Sequence, residues 1–404
     1  MKKLMTFALC FAAIGSVSAQ KANVDAAKKL SGKPDKIEEA RSLIQQAMQN
    51  PETAQDAQTY FIAGKIEFDA YDNQYAKRQI DPSSVDNIKM SENLINGYKN
   101  FVKALPLTAI PNEKGKTDSK TAKSILGTLK GHAADFYTGG SVFLNEGKYY
   151  PEAYESFMIY GDLPEQDFMK DQKLVIPDTL RNAAYYYAGR GAFAANELMP
   201  AAEAFRKARQ TGFDDKDVFI YEISSWQTIA QRDSTMEKTA MQKIIEVAKD
   251  GDKMFGMAEP YFFINIVNSL VMEDNFDQAV AAVNERLADN ADNPSLYGLR
   301  GFVYDRMGKD NESVEDYRKA ISYDNADLGT LKNAAKKIFR VGANKWNAIE
   351  GGSAEERAAR ADVKTNYYEV AKAIAEKAKR IGGEDTGDLD YLIDAIDYNL
   401  SLAQ

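Results

Sequence analysis

The clearest feature of the chain is a hydrophobic pattern that repeats between Glu259 and Asn325. Small and large residues recur there every 34 residues: Ala279, for example, aligns with Ser313 (313 minus 279 is 34). The same shift pairs four further positions: Val267 with Gly301, Leu270 with Tyr304, Asp274 with Gly308 and Val283 with Tyr317. Residues three or four apart share a helical face, so each copy predicts two amphipathic helices joined by a turn.

The second copy, Pro294 to Asn325, has an ordered series of large and small positions. They are Tyr297, Gly301, Tyr304, Gly308, Ser313, Tyr317 and Ala320. This series resembles the tetratricopeptide repeat, although Tyr or Phe stands where that family favours Trp and the proline after the second helix is missing. The resemblance implies an all-α fold, a right-handed superhelical solenoid of stacked helix-turn-helix repeats that bind other proteins.

The remaining segments fit the same pattern less regularly. Asp35 to Asn50 predicts an early helix, and Asp388 to Leu402 predicts a closing helix that caps the stack. Residues 20–404 are therefore predicted to form one array of about seven hairpins. Breaks in the pattern predict loop insertions near 72–89, 108–123, 163–177 and 344–364.

The spacing of small and large residues also predicts how a hairpin packs. Gly301 lies between Tyr297 and Tyr304 on one helical face, and the gap that it leaves admits the neighbouring helix. We expect Tyr297, Tyr304 and Tyr317 to be buried structural rings. A bulky residue in place of Gly301 should cost about 1–3 kcal/mol by overpacking.

The first nineteen residues have the pattern of a signal peptide. Lys2 and Lys3 precede an apolar run from Leu4 to Gly15, and Val17-Ser18-Ala19 places small residues before a cut at Gln20. A transmembrane anchor is the alternative, but the run is shorter than the roughly 20 residues that cross a bilayer. We therefore expect residues 1–19 to be removed and the protein to be exported, with a periplasmic location.

The cysteine content and the net charge limit the thiol chemistry and the classes of partner that are open to the chain. Cys10 is the only cysteine, and it is preceded by Leu9 rather than by the small residue that a lipoprotein would have. Removal of residues 1–19 leaves no thiol and no disulfide. The formal charge of -9 becomes -11 when Lys2 and Lys3 are lost (-9 minus 2), which argues against nucleic acid or an anionic membrane surface as a general partner.

Catalytic and metal motifs are weak. His132 is the only histidine, so the chain cannot form a zinc site with several histidine ligands, and a catalytic triad would have only this one base. A structural residue at the start of a helix is the simpler interpretation of His132. Asp385, Asp388 and Asp390 lack the spacing of a helix-loop-helix calcium site. We predict no enzyme activity, no cofactor and no metal site.

The family resemblance implies a concave surface lined by the first helix of each repeat. The residues that it places there are Phe61, Lys65, Phe68, Tyr137, Tyr186, Arg190, Phe193, Tyr261, Asn268, Phe302, Arg306, Lys336, Phe339 and Arg340. Aromatic and cationic residues predominate, which favours an anionic or extended peptide, although Asp69, Asp217 and Asp305 should face the same way. The Lys and Asn arrangement by which some members bind a terminal carboxylate is absent from its usual positions.

These patterns support three hypotheses about function. The leading one is a non-catalytic exported scaffold that binds a protein or peptide partner of the cell envelope through this groove. The second is a glycan-binding or nutrient-uptake accessory protein, because aromatic rings stack on sugars. The third is a hydrolase that uses a pair of carboxylates among the 60 Asp and Glu residues.

Overall fold

The computed structural model describes residues 21–382 and 386–402, and these contain helices without any β-strand. They divide into two compact units, unit 1 (Met1–Lys243) and unit 2 (Ile244–Gln404). The predicted signal peptide with Cys10, and Asp385 of the acidic turn, lie outside the described residues. The prediction of an all-α fold built from stacked helical hairpins is confirmed within each unit.

Unit 1 is built from consecutive antiparallel helix pairs. Its helices are α1 (residues 21–30), α2 (Ile37–Gln49), α3 (Ala57–Ile80), α4 (Asn87–Thr108), α5 (Ser119–Gly131), α6 (Ala133–Asn145), α7 (Tyr150–Asp162), α8 (Asp178–Ala194), α9 (Leu198–Gln210) and α10 (Lys216–Arg232). Helix α3 packs on α4, α6 on α7 and α8 on α9, and contacts between α4 and α6 and between α7 and α8 join successive pairs. Helix α11 (Glu237–Phe255) contains the boundary between the units.

Unit 2 continues the same design and ends in a three-helix arrangement. Its helices are α12 (Tyr261–Met272), α13 (Phe276–Asp289), α14 (Pro294–Arg306), α15 (Asp310–Ile321), α16 (Leu328–Asn347), α17 (Ala354–Val363), a π-helical turn (Lys364–Glu369), α18 (Val370–Gly382) and α19 (Gly387–Leu402). Helix α12 packs on α13 and α14 on α15, whereas α16 takes α18 as its partner.

Short polar side chains determine where several of the helices begin. The carboxylates of Asp56, Asp86, Asp118 and Asp327 accept hydrogen bonds from backbone N–H groups in the first turn of α3, α4, α5 and α16. These groups would otherwise have no partner, and replacing such a cap typically costs about 1 kcal/mol. The caps therefore define the hairpin boundaries that the hydrophobic pattern indicates only approximately.

The turns between paired helices require a left-handed backbone. Gly147 and Gly308 have φ of 70° and 73°, and Asn196 adopts φ of 64° at the corresponding place in the α8–α9 pair. Asp274, which aligns with Gly308 in the repeat, has φ of 57°. Glycine, Asn and Asp tolerate this region best, so the exchange of Asn196 for the turn glycine is accommodated as expected.

Small residues on first helices receive rings from second helices. A Cβ added to Gly189 would meet Cε1 of Phe205 at 2.6 Å, and one added to Gly140 would meet Cδ2 of Phe157 at 2.8 Å. The contact at Gly301 is looser, with Cγ of Tyr317 at 3.3 Å. Tyr317 is buried as predicted, but Tyr297 and Tyr304 are only half-buried.

The reason for the exposure of Tyr297 is its place at the start of α14. Its hydroxyl donates a hydrogen bond to the backbone oxygen of Ala291 at 3.0 Å, and its ring stacks on that of Tyr323 at the surface. The prediction that Tyr297 and Tyr304 are buried rings is therefore wrong, and the ring of Tyr304 is covered in part by the side chain of Lys309.

The predicted loops are shorter in the structure than the sequence suggested. Helix α3 continues to Ile80 and α4 starts at Asn87, so most of 72–89 is helical. Segment 344–364 contains α17, which begins with a reciprocal capping box between Ser353 and Glu356. Segment 108–123 includes the start of α5, and 163–177 contains 3-10 turns at Leu163–Glu165 and Asp167–Gln172.

The closing helix covers the last core of unit 2 on one face only. Leu389 and Ile396 of α19 are fully buried, whereas Tyr391 and Tyr398 are 82% and 65% exposed. Helix α19 is thus present as predicted, but it carries a second apolar face that the described residues leave open to solvent.

Candidate ligand-binding surface

The first helices of unit 2 present equivalent positions at intervals of 34 residues. Asn268 of α12, Phe302 of α14 and Lys336 of α16 are one such set (302 minus 268, and 336 minus 302). Helix α14 contacts both α12 and α16, so the three helices lie side by side. Their equivalent positions therefore fall along one surface, which is called the first-helix surface.

A cavity of about 500 Å³ opens on this surface. Its lining includes two of the predicted groove residues, Asn268 and Phe302, and is completed by Pro260, Ile264, Ser295, Gly298, Leu299, Asp327, Gly329, Thr330 and Asn333. Ile264 is 37% exposed, and together with Leu299 and Phe302 it provides an apolar wall. The cavity has the size and the mixture of apolar and polar groups that are typical of ligand sites.

Helices α14 and α16 approach closely beside this cavity because the middle repeat has a glycine where the repeat before it has a larger residue. Gly298 aligns with Ile264 (298 minus 264 is 34). A Cβ at Gly298 would come within 2.6 Å of Cγ2 of Thr330, so α14 and α16 approach closely at this point. Gly298 was not among the predicted site residues, and the repeat alignment is the signal that identifies it.

Two side-chain amides at the cavity are available to form hydrogen bonds with a ligand. Asn268 and Asn333 line it from the two flanking helices, and neither makes a hydrogen bond to a described residue. Asp327, by contrast, is occupied structurally. Burial opposes its ionisation, but hydrogen bonds from Thr330 and Ser295 hold the pKa of its carboxyl below the ordinary value.

Most of the predicted groove cations are neutralised within the chain. Lys65 pairs with Asp69 at 2.6 Å, Lys336 with Asp388 at 2.8 Å, and Arg340 with Asp305. Arg190 lies over the rings of Tyr186 and Tyr221, with its guanidinium carbon 5.8 Å and 5.3 Å from their centroids. Arg306 is exposed and, within 21–382 and 386–402, has no ion-pair partner. The surface is therefore less cationic than its sequence suggests.

Phe68, which the sequence places in the groove, is mainly a core residue of unit 1. It is 2% exposed, its ring stacks on that of Phe101 with centroids 5.0 Å apart, and it fills the space beside Gly97, where an added Cβ would come within 2.7 Å. The missing side chain of Gly97 on α4 makes room for this ring in the core, although Phe68 also lines a cavity beside His132. Phe61, two turns earlier on the same face of α3, is half-buried and stacks on the same Phe101.

His132 lies at the junction of α5 and α6 beside a second cavity of about 450 Å³, which Phe61, Lys65 and Phe68 also line. Its Nδ1 is 2.8 Å from Asp135 and its Nε2 is 3.7 Å from Asp72. The imidazole packs on Phe68, with centroids 4.9 Å apart. This is the environment of a side chain that joins two helices.

The predicted aromatic residues of unit 1 contact one another and the second helices. Tyr186 stacks on Phe213 at 5.2 Å, and Phe193 meets the edge of Tyr221 at 5.4 Å. Burial raises the pKa of Tyr137 and of Tyr186. Tyr187, which is not among the predicted groove residues, is the more exposed ring, with 37% of its surface accessible.

The two remaining predicted residues, Tyr261 and Phe339, are half-buried. Tyr261 stands at the start of α12 with the edge of its ring towards Phe262, and Phe339 packs against Tyr368. In the described part of the chain, no group of three or more His, Cys, Asp or Glu residues is arranged to hold a metal ion. The same residues contain no helix with the length and apolar character needed to cross a membrane.

Comparisons with known proteins give only distant structural likenesses. No protein-family model matches the chain, and neither does any curated protein sequence. The crystal structure of TTC0263, a thermophilic TPR protein of Thermus thermophilus, is 17% identical, covers 51% of this chain and 98% of its own, and has a TM-score of 0.31. The TPR2AB domain of yeast Sti1 in complex with pHSP90 is 13% identical, covers 81% and 98%, and has a TM-score of 0.24.

Likenesses at this level say nothing about the function of the chain. The stacked-hairpin fold is evident instead from three features of the chain itself. Its hydrophobic pattern repeats every 34 residues, glycines on first helices pack against rings on second helices, as Gly189 does against Phe205, and left-handed residues form the turns.

Proposed function

We propose that this protein is a non-catalytic, exported scaffold that binds a peptide segment or protein partner of the cell envelope through the first-helix surface of unit 2. The cavity beside Phe302, with an apolar wall and the unpaired amides of Asn268 and Asn333 at its sides, is the observation that carries the proposal.

The chemistry of the cavity suits a polypeptide. An extended backbone offers N–H and C=O groups without partners, and each asparagine amide can donate and accept at once. The apolar wall of Ile264, Leu299 and Phe302 can bury one side chain of the bound segment. Burying a Leu or Phe side chain contributes on the order of 2 kcal/mol, so one anchor with a few hydrogen bonds gives a weak and reversible site.

A role without catalysis is supported by the state of the reactive groups. The side chain of His132 is only 16% exposed, and its ring packs against Phe68 and Tyr71, which points to a structural role. The carboxylates Asp69, Asp305 and Asp388 are each paired with a lysine or arginine. The residues that line the unit 2 cavity include no His, Cys or Lys, and its one carboxylate, Asp327, already accepts hydrogen bonds from Ser295 and Thr330.

Export rests on the pattern of residues 1–19 and is tested separately. N-terminal sequencing of the protein purified from its natural cells should begin at Gln20, and fractionation should place it outside the cytoplasm. Recovery of a chain that retains Met1 in the cytoplasmic fraction would contradict this part of the proposal and leave the binding surface unaffected.

The binding surface is tested by photo-crosslinking with a matched control. Phe302 and Phe276 are both half-buried and pack against the same core of unit 2, but Phe276 lies on the second helix α13. A photoreactive phenylalanine analogue should capture one defined polypeptide from position 302 and not from position 276. Equal capture from both positions, or capture of no polypeptide from 302, would contradict the proposal.

A glycan-binding role is the second candidate, and one observation favours it. Tyr187 is 37% exposed, and its ring lies 5.7 Å from that of Phe157, next to Tyr186. Such a surface can stack on a sugar ring. Titration with cell-wall oligosaccharides distinguishes the candidates: a saccharide whose binding is lost on Tyr187→Ala supports this one, whereas the peptide scaffold predicts no such binding.

A further inference from the structure

Arg306 differs from the other cations that the sequence places in the predicted groove. Lys65, Lys336 and Arg340 are paired with carboxylates, and Arg190 lies over two tyrosine rings. Arg306 is exposed and contacts no carboxylate among the described residues. A guanidinium left without a partner beside a ligand cavity is free to bind an anionic group.

Arg306 lies on the same helix as Phe302, which lines the cavity. It follows Phe302 by four residues on α14, so the two side chains lie on one face about one helical turn apart. Asp327 and Ser295 lie at the opposite, N-terminal end of the cavity and are hydrogen-bonded to each other at 2.8 Å. The surface along α14 therefore runs from a carboxylate, across an apolar cavity, to an arginine that has no partner among the described residues.

We infer that the occupant of this cavity is an extended peptide segment with one large apolar anchor residue and an acidic residue about two positions away. One helical turn spans about 5.4 Å, and an extended chain advances about 3.3 Å per residue, so two residues cover the interval between Phe302 and Arg306. The anchor enters the cavity, the acidic group meets Arg306, and the amides of Asn268 and Asn333 bind the backbone. This inference rests on the proposed function and names the ligand of the same surface.

The expected preference for an acidic residue is modest. An exposed ion pair contributes up to about 1 kcal/mol, which corresponds to a factor of about five in affinity, and it weakens as salt increases. A basic residue at the same place meets Arg306 with the same charge and is disfavoured. The acidic residue therefore selects among segments that share an apolar anchor.

The test is a selection from random twelve-residue peptides displayed without free ends, so that no terminal carboxylate contributes. The full chain is used as wild type, as Arg306→Gln, and as Arg380→Gln, a control at an exposed arginine of α18. A third variant, Ile264→Asp, places a charge in the apolar wall, and Met254→Asp is its control at an exposed methionine of α11.

Wild type and Arg380→Gln should enrich peptides that carry Leu, Ile, Phe or Tyr with Asp or Glu about two positions away. Arg306→Gln should keep the apolar anchor and lose the acidic residue. Enriched peptides remade with Gln in place of the acidic residue should bind wild type about fivefold more weakly.

The selection gives different results if the inference about the ligand fails and if the proposed function fails. Enrichment of an apolar anchor without an acidic residue, lost on Ile264→Asp and kept on Met254→Asp, overturns the inference about the ligand and leaves the proposed function standing. An acidic preference that persists in Arg306→Gln also overturns the inference. Absence of any enriched peptide, or enrichment that Ile264→Asp does not affect, overturns both.

Discussion

Gly189 of α8 lies directly beneath the ring of Phe205 in α9, so that an added Cβ would come within 2.6 Å of ring carbon Cε1. Phe205 is fully buried, and its other neighbours include the ring of Tyr221, stacked at 5.4 Å. A ring confined in this way cannot move aside easily. The contact shows why a small residue on a first helix and a ring on the second are needed together.

Replacing Gly189 with alanine should destabilise unit 1 by about 1–3 kcal/mol, because overpacking outweighs the gain of about 0.5–1 kcal/mol in helix propensity. The matched control is Gly127→Ala in α5, where an added Cβ meets nothing within 4 Å; it should leave stability unchanged or raise it. Urea denaturation followed by circular dichroism measures both. Equal effects of the two substitutions would contradict the packing described here.

Gly301→Ala should cost less than Gly189→Ala. Its Cβ would lie 3.3 Å from the backbone oxygen of Ser313 and from the ring of Tyr317, a tight contact that a shift of a few tenths of an ångström relieves. The propensity gain then offsets most of the strain, so we expect a change within about 1 kcal/mol in urea denaturation. A loss equal to that of Gly189→Ala would show that the hairpin of α14 and α15 cannot adjust.

The buried ion pair of unit 1 should be far more sensitive than the surface pairs. Glu222 of α10 is fully buried, and its carboxylate lies 3.0 Å from Nε of Arg209 in α9, which is 7% exposed. Glu222→Ala removes this carboxylate from a buried guanidinium and should cost about 3–5 kcal/mol. The double variant Arg209→Met, Glu222→Leu should recover most of that loss in denaturation experiments, and a purely additive result would exclude this coupling.

Asp388 should give unit 2 a pH-dependent contact between α16 and α19. Hydrogen bonds from Lys336 and Lys332 lower the pKa of its carboxyl from 3.8 to about 2. A depressed folded-state pKa stabilises the fold above the unfolded-state value, and this contribution disappears as pH falls from about 4 to about 2. Since the side chain is 44% exposed, solvent screening limits the effect to at most about 1 kcal/mol.

The measurement is the stability difference between wild type and Asp388→Asn at several pH values. It should be largest at pH 7 and shrink towards zero near pH 2. A difference that grows on acidification has the wrong sign and would contradict the pairing of Asp388 with Lys332 and Lys336.

Alanine substitutions at Phe68 and Phe61 should differ in their effect on stability, because the first ring lies in the core and the second near the surface of the same helix. Phe68→Ala removes a buried ring from the centre of unit 1 and should cost about 3–5 kcal/mol. Phe61→Ala should cost clearly less, because that ring is half-buried. Thermal melts of the two variants decide the order, and a reversed order would return Phe68 to the surface set predicted from the sequence.

The repeat register was predictable because it depends on residues close in the chain. Gly301 and Tyr317 belong to one hairpin, and the left-handed turn at Asn196 follows from the residue itself. The capping box at Ser353 and Glu356 was also readable, and it would have revealed α17 within the predicted loop.

The side-chain environment of the surface was less predictable because it depends on distant partners. The burial of Phe68 requires Gly97 on the next helix, and the neutralisation of Lys336 requires Asp388, 52 residues away. The close approach of α14 and α16 beside the unit 2 cavity likewise requires Thr330 opposite Gly298. A repeat pattern specifies which face a residue occupies, whereas its partners there are determined by the packing of neighbouring repeats.

The most direct test of the binding surface compares Phe302→Ala with Phe276→Ala in their affinity for the polypeptide captured by photo-crosslinking. Both substitutions remove a half-buried ring from the same core, so similar losses of stability are expected. Isothermal titration should show at least a roughly tenfold loss of affinity for Phe302→Ala, the effect of losing about 1.4 kcal/mol, and wild-type affinity for Phe276→Ala. Equal affinities for the two variants would contradict the assignment of the first-helix surface of unit 2 as the ligand-binding surface.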